Sequence, residues 1–226
     1  MKKVIITGTS RGIGFELAKQ FAENNFQVLA LSRNQKPLEE LQLKNITALS
    51  VDVCKQEDLE KVKTYIASEW NEVDILIHNA GFLINKPFEN LTKDDFFRVF
   101  DVNVFGVAAL TQVCIPYLKH GSHVVTISSM GGIQGSLKFP GLAAYSSAKG
   151  AVITLSELLA EEYKEQEIAF NVLALGAVQT EMLEEAFPGY QAPINAIDMA
   201  NYIYDFSLSG NQFYNGKILP VAMTNP

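Results

Sequence analysis

Along most of the chain, short unbroken apolar runs alternate with segments whose apolar residues recur at helical spacing. "KVIIT" (Lys3–Thr7), "FQVLAL" (Phe26–Leu31), "ITALSV" (Ile46–Val51), "VDILI" (Val73–Ile77), "HVVTIS" (His123–Ser128) and "IAFNVLAL" (Ile168–Leu175) read as strands. Their Val, Ile and Leu run on with little polar alternation, as strands covered on both faces require. "KILPV" (Lys217–Val221) adds an edge strand, where Pro220 is tolerable. Helices are predicted over Gly12–Asn24, Gln56–Glu69, Thr92–Leu118, Ala144–Glu165 and Ala196–Ser207, with Thr92 and Asp95 set to cap the third of them. Strand and helix in strict alternation imply right-handed crossovers and one α/β domain over residues 1–226: a Rossmann-type doubly wound parallel sheet with helices on both faces. No repeat, linker or low-complexity tract interrupts it. The least regular part is 181–195, with Pro188, Gly189 and Pro193, expected as a loop with at most a short helix.

Composition narrows the function. The chain has 226 residues, 48% of them hydrophobic and 19% charged, and a net charge of −7. That balance and a pI near 5.0 argue against a nucleic-acid partner, which needs a basic face. No membrane span is expected: the longest apolar run, Val102–Leu118, holds Asn103, Thr111, Gln112 and Pro116, and reads as a buried or interface helix. "MKKVIITGTS" breaks into polar residues too soon for an export signal, so a cytoplasmic protein is expected. Cys54 and Cys114 form no ligand pattern and are expected as buried free thiols. His78, His120 and His123 lack metal-site spacing, and the last two fall at a glycine-containing turn, so no metal is expected.

Two stretches carry candidate chemistry. "TGTSRGIG" (Thr7–Gly14) joins the first strand to the first helix. Its glycines permit a tight turn and close approach of a pyrophosphate to a helix N-terminus, whose free N–H groups favour an anion. The spacing alone is not specific. A site for NAD usually sets Asp or Glu at the end of the second strand; here Ser32 and Arg33 stand there, and Arg11 lies in the loop. Two guanidiniums without a carboxylate suit a 2′-phosphate, which favours NADP(H) over NAD(H). "AAYSSAKG" (Ala143–Gly150) sets Tyr145 and Lys149 one helical turn apart among small residues.

With TGxxxGxG in front and Tyr-x-x-x-Lys behind, the sequence resembles the short-chain dehydrogenase/reductase family over nearly its whole length. "HNAG" (His78–Gly81), "NVFG" (Asn103–Gly106), "ISSMGG" (Ile127–Gly132) and "NVLALGAVQT" (Asn171–Thr180) match further family motifs in order, and Asp52-Val53 matches the pair beside the adenine. The resemblance implies a nicotinamide cofactor held by Gly8, Ser10, Arg11, Gly12, Ile13, Gly14, Arg33, Asp52, Val53, Asn79, Ala80, Gly81, Tyr145, Lys149, Gly176, Val178 and Thr180. It implies catalysis by Ser129, Tyr145 and Lys149, with Asn103 holding a water that links Lys149 to solvent. A free phenol titrates at about pH 10; a neighbouring ammonium and the positive nicotinamide ring would favour its phenolate, and lowering it by two to three units takes about 3–4 kcal/mol. Such a tyrosine protonates a carbonyl oxygen as hydride reaches the carbon, or removes the alcohol proton in reverse.

Alternatives stand beside these assignments. Ser128 rather than Ser129 is a second choice for the serine, and Asn103 for capping a helix distortion. Leu137, Phe139 and Leu142 either line the substrate cleft or anchor the loop. Three departures from the family also stand out: His78 replaces an Asn, Leu175 replaces the proline before Gly176, and the sixteen positions from Ser129 to Tyr145 exceed the usual spacing. Leu175 is expected to loosen the backbone beside the nicotinamide. The segment after Thr180 is short, implying an open cleft or small lid. A Ser-His hydrolase is disfavoured, since no GxSxG elbow occurs and neither His120 nor His123 has an evident acid partner. The expectation is an NADP(H)-dependent reductase of a small ketone, aldehyde or diketone, working as a homodimer or homotetramer. Its rivals are a non-catalytic NADP(H)-binding sensor or scaffold and, among enzymes, reduction of a 3-oxoacyl carrier or pterin side-chain carbonyl.

Overall fold

The computed structural model describes residues 1–223, so the expected domain over 1–226 runs past the described part. Seven parallel strands form the central sheet: β1 (Lys3–Thr7), β2 (Gln27–Ser32), β3 (Ile46–Ser50), β4 (Val73–His78), β5 (Leu118–Ser129), β6 (Ala169–Leu175) and β9 (Ile218–Val221), in the order β3-β2-β1-β4-β5-β6-β9. Connections run outward in opposite directions from β1 and β4, so a crevice opens beyond their carboxyl ends.

The unbroken apolar runs are explained by the two faces they serve. Val4 and Ile6 point to one core, with Leu17, Phe21 and Ile203, while Ile5 points to the other, with Leu59, Leu110 and Phe170. On the first face lie α1 (Gly12–Glu23) and α8 (Ala196–Ser209); on the second lie α3 (Gln56–Tyr65), α5 (Gly106–Cys114) and α6 (Ala143–Glu162). In β1, β2 and β6 alternate residues are therefore buried alike, and no polar face exists to write an alternating pattern.

The expected helix Thr92–Leu118 is broken into parts. Thr92 caps α4 (Lys93–Phe100) through a capping box with Asp95. A π-helical turn at Asp101–Phe105 follows, then α5 and a 3-10 turn at Ile115–Tyr117. By length and composition the run Lys93–Tyr117, with an 18-residue stretch of mean hydropathy 1.5, is long and apolar enough to cross a membrane. In the fold, Leu110 and Cys114 pack with the sheet, and Val99 packs with Ala144 and Ala148 of α6.

Three other expectations are corrected. The glycine turn lies inside β5: Gly121 has φ +81° and the register slips there. His123 is thereby buried, with Nδ1 against the Ser207 carbonyl at 3.1 Å and Nε2 against Asn171 Nδ2 at 3.0 Å. His120 does have an acid partner, Glu167 Oε2 at 2.7 Å, at the exposed amino end of β5 away from the crevice. Cys54 is only half-buried, unlike Cys114. The irregular part contains α7 (Glu181–Ala186) and a small parallel pair, β7 (Val178–Gln179) with β8 (Ile194–Asn195). A short helix, α2 (Lys36–Glu39), lies between β2 and β3.

Candidate active site

A cleft of about 880 Å³ opens at the carboxyl ends of the strands. The glycine loop forms one end. Gly8 and Gly12 have φ of +73° and +60°, a left-handed backbone that glycine adopts without strain. A Cβ on Gly8 would lie 2.8 Å from Ala80 Cα, and one on Gly14 only 2.3 Å from the Gly8 carbonyl oxygen. Helix α1 begins there with no side chain capping its N-terminus. Its free N–H groups and dipole face the cleft, the condition that favours a bound anion.

The "HNAG" segment braces this loop. Thr7 Oγ1 accepts from the Asn79 and Ala80 N–H groups at 3.0 and 2.9 Å. The Asn79 side-chain amide donates to the Thr7 and Gly8 carbonyls at 3.0 and 3.2 Å. His78, standing where the family has Asn, points away into the core. Its Nε2 lies 2.8 Å from Thr111 Oγ1, whose own proton goes to the Val107 carbonyl, so the ring is the donor. Burial pushes His78 down to about 3, with Lys149 adding repulsion.

Ser129, Tyr145 and Lys149 converge at the other end. Glycine again makes the approach possible: a Cβ on Gly132 would fall 2.7 Å from the Lys149 carbonyl carbon. Helix α6 therefore lies directly on the turn after β5. Ser128 Oγ is buried and donates to the Lys149 carbonyl at 2.9 Å, while Ser129 Oγ lines the cleft and accepts from Gly131 N–H at 3.2 Å. Both serines border the cleft, and of the two only the Ser128 hydroxyl is committed to a carbonyl. Lys149 Nζ donates to the Ile127 carbonyl at 2.8 Å and lies 5.7 Å from the Tyr145 ring centre. No protein group among the described residues hydrogen-bonds the Tyr145 hydroxyl.

Without the nicotinamide, burial dominates both groups. Burial pushes Tyr145 up to about 12 and Lys149 down to about 8. The ammonium sits over the ring face and hydrogen-bonds Ile127, and the desolvation of the phenolate outweighs the attraction of that cation. Tyr145 is therefore held protonated by the protein alone.

All the expected cofactor residues line the cleft except Gly14, which packs behind the loop. Asn103 is not in its wall either. It is fully buried in the π turn, donating to the Val99 and Phe82 carbonyls, both at 2.7 Å, and accepting from Phe82 N–H at 3.4 Å. The helix-distortion alternative is thus realised, and the same side chain flanks Gly81: a Cβ there would lie 3.3 Å from Asn103 Oδ1 and 3.8 Å from Lys149 Nζ. Arg33 is exposed at the end of β2 and joins no ion pair among the described residues. Arg11 instead forms a two-pronged pair with Glu185 of α7, one prong at 3.0 Å. Leu175 stays in the β6 ladder, in register with Ser129 and Val221, and Gly176 N–H donates to the Val221 carbonyl at 2.9 Å.

Phe139 and Leu142 do line the cleft, whereas Leu137 lies outside its wall. Met182, Leu183, Phe187 and Tyr190 of the short lid line it as well, as do Phe82 and Arg98. None of these was expected from the sequence; the apolar spacing of Met182, Leu183 and Phe187 in "EMLEEAF" was the available signal.

The family description for short chain dehydrogenase matches residues 2–191. The chain belongs to the short-chain dehydrogenase family. Among curated relatives, a 3-amino-tetrahydro-pyrrolizinone reductase of Xenorhabdus hominickii is 30% identical over 91% of this chain and 72% of its own. A diacetyl reductase of Staphylococcus aureus is also 30% identical, over 81% of this chain and 73% of its own. A solved 4-hydroxyisoleucine dehydrogenase, complexed with NADH, superposes with a TM-score of 0.86 at 26% identity, over 98% of this chain and 97% of that one. This short-chain dehydrogenase accordingly shares the fold of that solved structure.

Proposed function

We propose that the protein is an NADP(H)-dependent reductase of ketone or aldehyde carbonyls, with Ser129, Tyr145 and Lys149 as its catalytic residues. One observation carries this: the three polar heads converge at one end of a cleft whose other end is a glycine cradle with an uncapped helix N-terminus. The cradle fits a dinucleotide, since the places a Cβ would fill are the places where backbone must approach a pyrophosphate. Bound there, the nicotinamide supplies the hydride.

The chain's own residues do the rest. Ser129 donates its hydroxyl hydrogen to the substrate oxygen and fixes the carbonyl. Tyr145, protonated and otherwise unbonded, passes its proton to that oxygen as the carbon is reduced, leaving an alcohol and a phenolate. Lys149 stabilises that phenolate as a nearby cation. Asn103 holds the π turn, and in this reading supports the water that returns a proton through Lys149. Arg33, without a carboxylate at the end of β2, supports a preference for a 2′-phosphate over the free hydroxyl. The relatives named as a diacetyl reductase and a pyrrolizinone reductase support carbonyl chemistry.

In this reading residues 1–226 act as one cytoplasmic catalytic unit. It pairs with a second copy through the exposed Phe97, Phe105 and Leu158. Purified protein supplied with NADPH and a carbonyl panel should oxidise the cofactor, and Tyr145→Phe should lower the rate by about 10²–10⁴. Equal, negligible rates for both proteins on every compound would remove the reading and leave a dinucleotide-binding protein without turnover.

A further inference from the structure

The substrate half of the cleft is built from apolar side chains contributed by two separate segments. Met130, Phe139 and Leu142 come from the long connection between Ser129 and Tyr145; Leu183, Phe187 and Tyr190 come from α7 and the turn after it. Both segments are anchored to each other. Asn85 Nδ2 donates to the Ala186 carbonyl at 2.8 Å, and Gly141 sits against Asn85 so closely that a Cβ would fall 2.0 Å from its Oδ1. Lys86 N–H donates to the Gly141 carbonyl at 2.9 Å. The lid's far end and the loop leading to Tyr145 thus form one wall and one roof over the same space.

Apolar area remains in water there: Phe139 is 44% exposed and Tyr190 49%. Of the cations around this half, Lys86 and Arg11 have carboxylate partners, whereas Lys138 and Arg98 have none among the described residues. Lys86 pairs with Asp95 at 2.9 Å. Lys138 Nζ donates to the Ile133 carbonyl at 2.6 Å and to Ser136 Oγ at 2.8 Å. Arg98 stacks over the Phe82 ring at 5.1 Å, and Arg11 is paired with Glu185. Apolar surface entering here would cover Phe139 and Tyr190.

We propose that the substrate is a ketone carrying an apolar body of ring size, its carbonyl at Ser129 and Tyr145 and its body between Phe139 and the lid's Phe187 and Tyr190. The inference rests on the carbonyl-reductase reading and deepens it. A four-carbon diketone carries little apolar surface with which to cover the two exposed aromatic rings; a fused bicyclic ketone carries more.

The test compares α-tetralone, diacetyl and acetoacetate as substrates with NADPH, in wild type, Phe139→Ala and Tyr190→Ala. Both sites are exposed, and far-UV circular dichroism checks that the variants fold. The expected kcat/KM for α-tetralone is about tenfold above that for diacetyl and about a hundredfold above that for acetoacetate, the range that apolar pocket contacts discriminate. Each variant is expected to lower the tetralone-to-diacetyl ratio about tenfold, through KM. Calorimetric titration of α-tetralone into NADP⁺-loaded protein supplies a readout without turnover, and Phe139→Ala should weaken that binding. Turnover with diacetyl or acetoacetate equal or preferred overturns the inference and leaves the reductase reading. Tetralone binding weakened by Phe139→Ala, with no turnover of any carbonyl, keeps the inference and removes the reductase reading. Absence of both binding and turnover removes both.

Discussion

Lys149 carries its ammonium 5.7 Å from the centre of the Tyr145 ring and hydrogen-bonds the Ile127 carbonyl, not the phenol. The pair shares one face of α6, as one helical turn requires, yet both groups pay for burial in opposite directions: the phenol is pushed up to about 12 and the ammonium down to about 8. Reduction needs a protonated phenol and a nearby cation. The cation is the first of the two to be lost as pH rises.

Ketone reduction should therefore fall above about pH 8, where Lys149 loses its proton. A kcat/KM profile measured from pH 6 to 10 tests this, and Lys149→Arg should move the descent to higher pH, since a guanidinium stays charged. The stability sign is the reverse. Between the folded value near 8 and the model-peptide value of 10.5, the unfolded chain holds more protons, so the Lys149 contribution to stability rises with pH across that window.

Gly132 sets the distance between α6 and the end of β5. Gly132→Ala places a methyl 2.7 Å from the Lys149 carbonyl carbon. The helix must move or strain, a cost of about 1–3 kcal/mol. Denaturant midpoints should fall accordingly, and kcat should drop by more than tenfold because Tyr145 and Lys149 leave Ser129.

Arg33→Ala should weaken NADPH binding about tenfold to a hundredfold, the worth of a charge-assisted hydrogen bond, with NADH affinity little changed. Glu185→Gln frees Arg11 from its partner on the lid and should strengthen NADPH binding. Fluorescence titrations of the two cofactors measure both effects.

His78 and His123 are buried and held neutral, at about 3 and about 4. As pH falls through the unfolded value of 6.5, the unfolded chain takes up protons that the fold refuses. Stability is full above that value and is lost below it, by about 1.4 kcal/mol per pH unit for each ring. Urea midpoints at pH 7 and pH 5 check the slope, and His78→Asn, which cannot titrate, should make it shallower.

Phe97 and Phe105 lie in contact at 6.4 Å between ring centres on an exposed face. Solution scattering should give at least twice the chain mass of 25.0 kDa. Phe105→Glu and Leu158→Glu should shift it towards the single chain.

Much of this molecule was legible in its residues taken alone. The strands were, because a strand covered on both faces needs an unbroken apolar run, and "KVIIT" or "IAFNVLAL" has no other soluble use. The glycine loop was too, since Gly8 and Gly12 occupy a backbone conformation that other residues resist. The one-turn spacing of Tyr145 and Lys149 follows from helix geometry and holds in any surroundings.

Tertiary structure alone decided the rest, because charge and burial are set by neighbours far away in the chain. Nothing near Arg11 in sequence announces Glu185, yet that contact decides whether the guanidinium is free. Ser128 and Ser129 are chemically identical neighbours, and only the carbonyl of Lys149 separates the committed hydroxyl from the other. The direction in which Tyr145 is pushed depends on how much water the fold removes from it, a property of the packed whole. Sequence determined the sheet, the cradle and the pair; packing determined which heads meet, which are spoken for, and how apolar the space between them is.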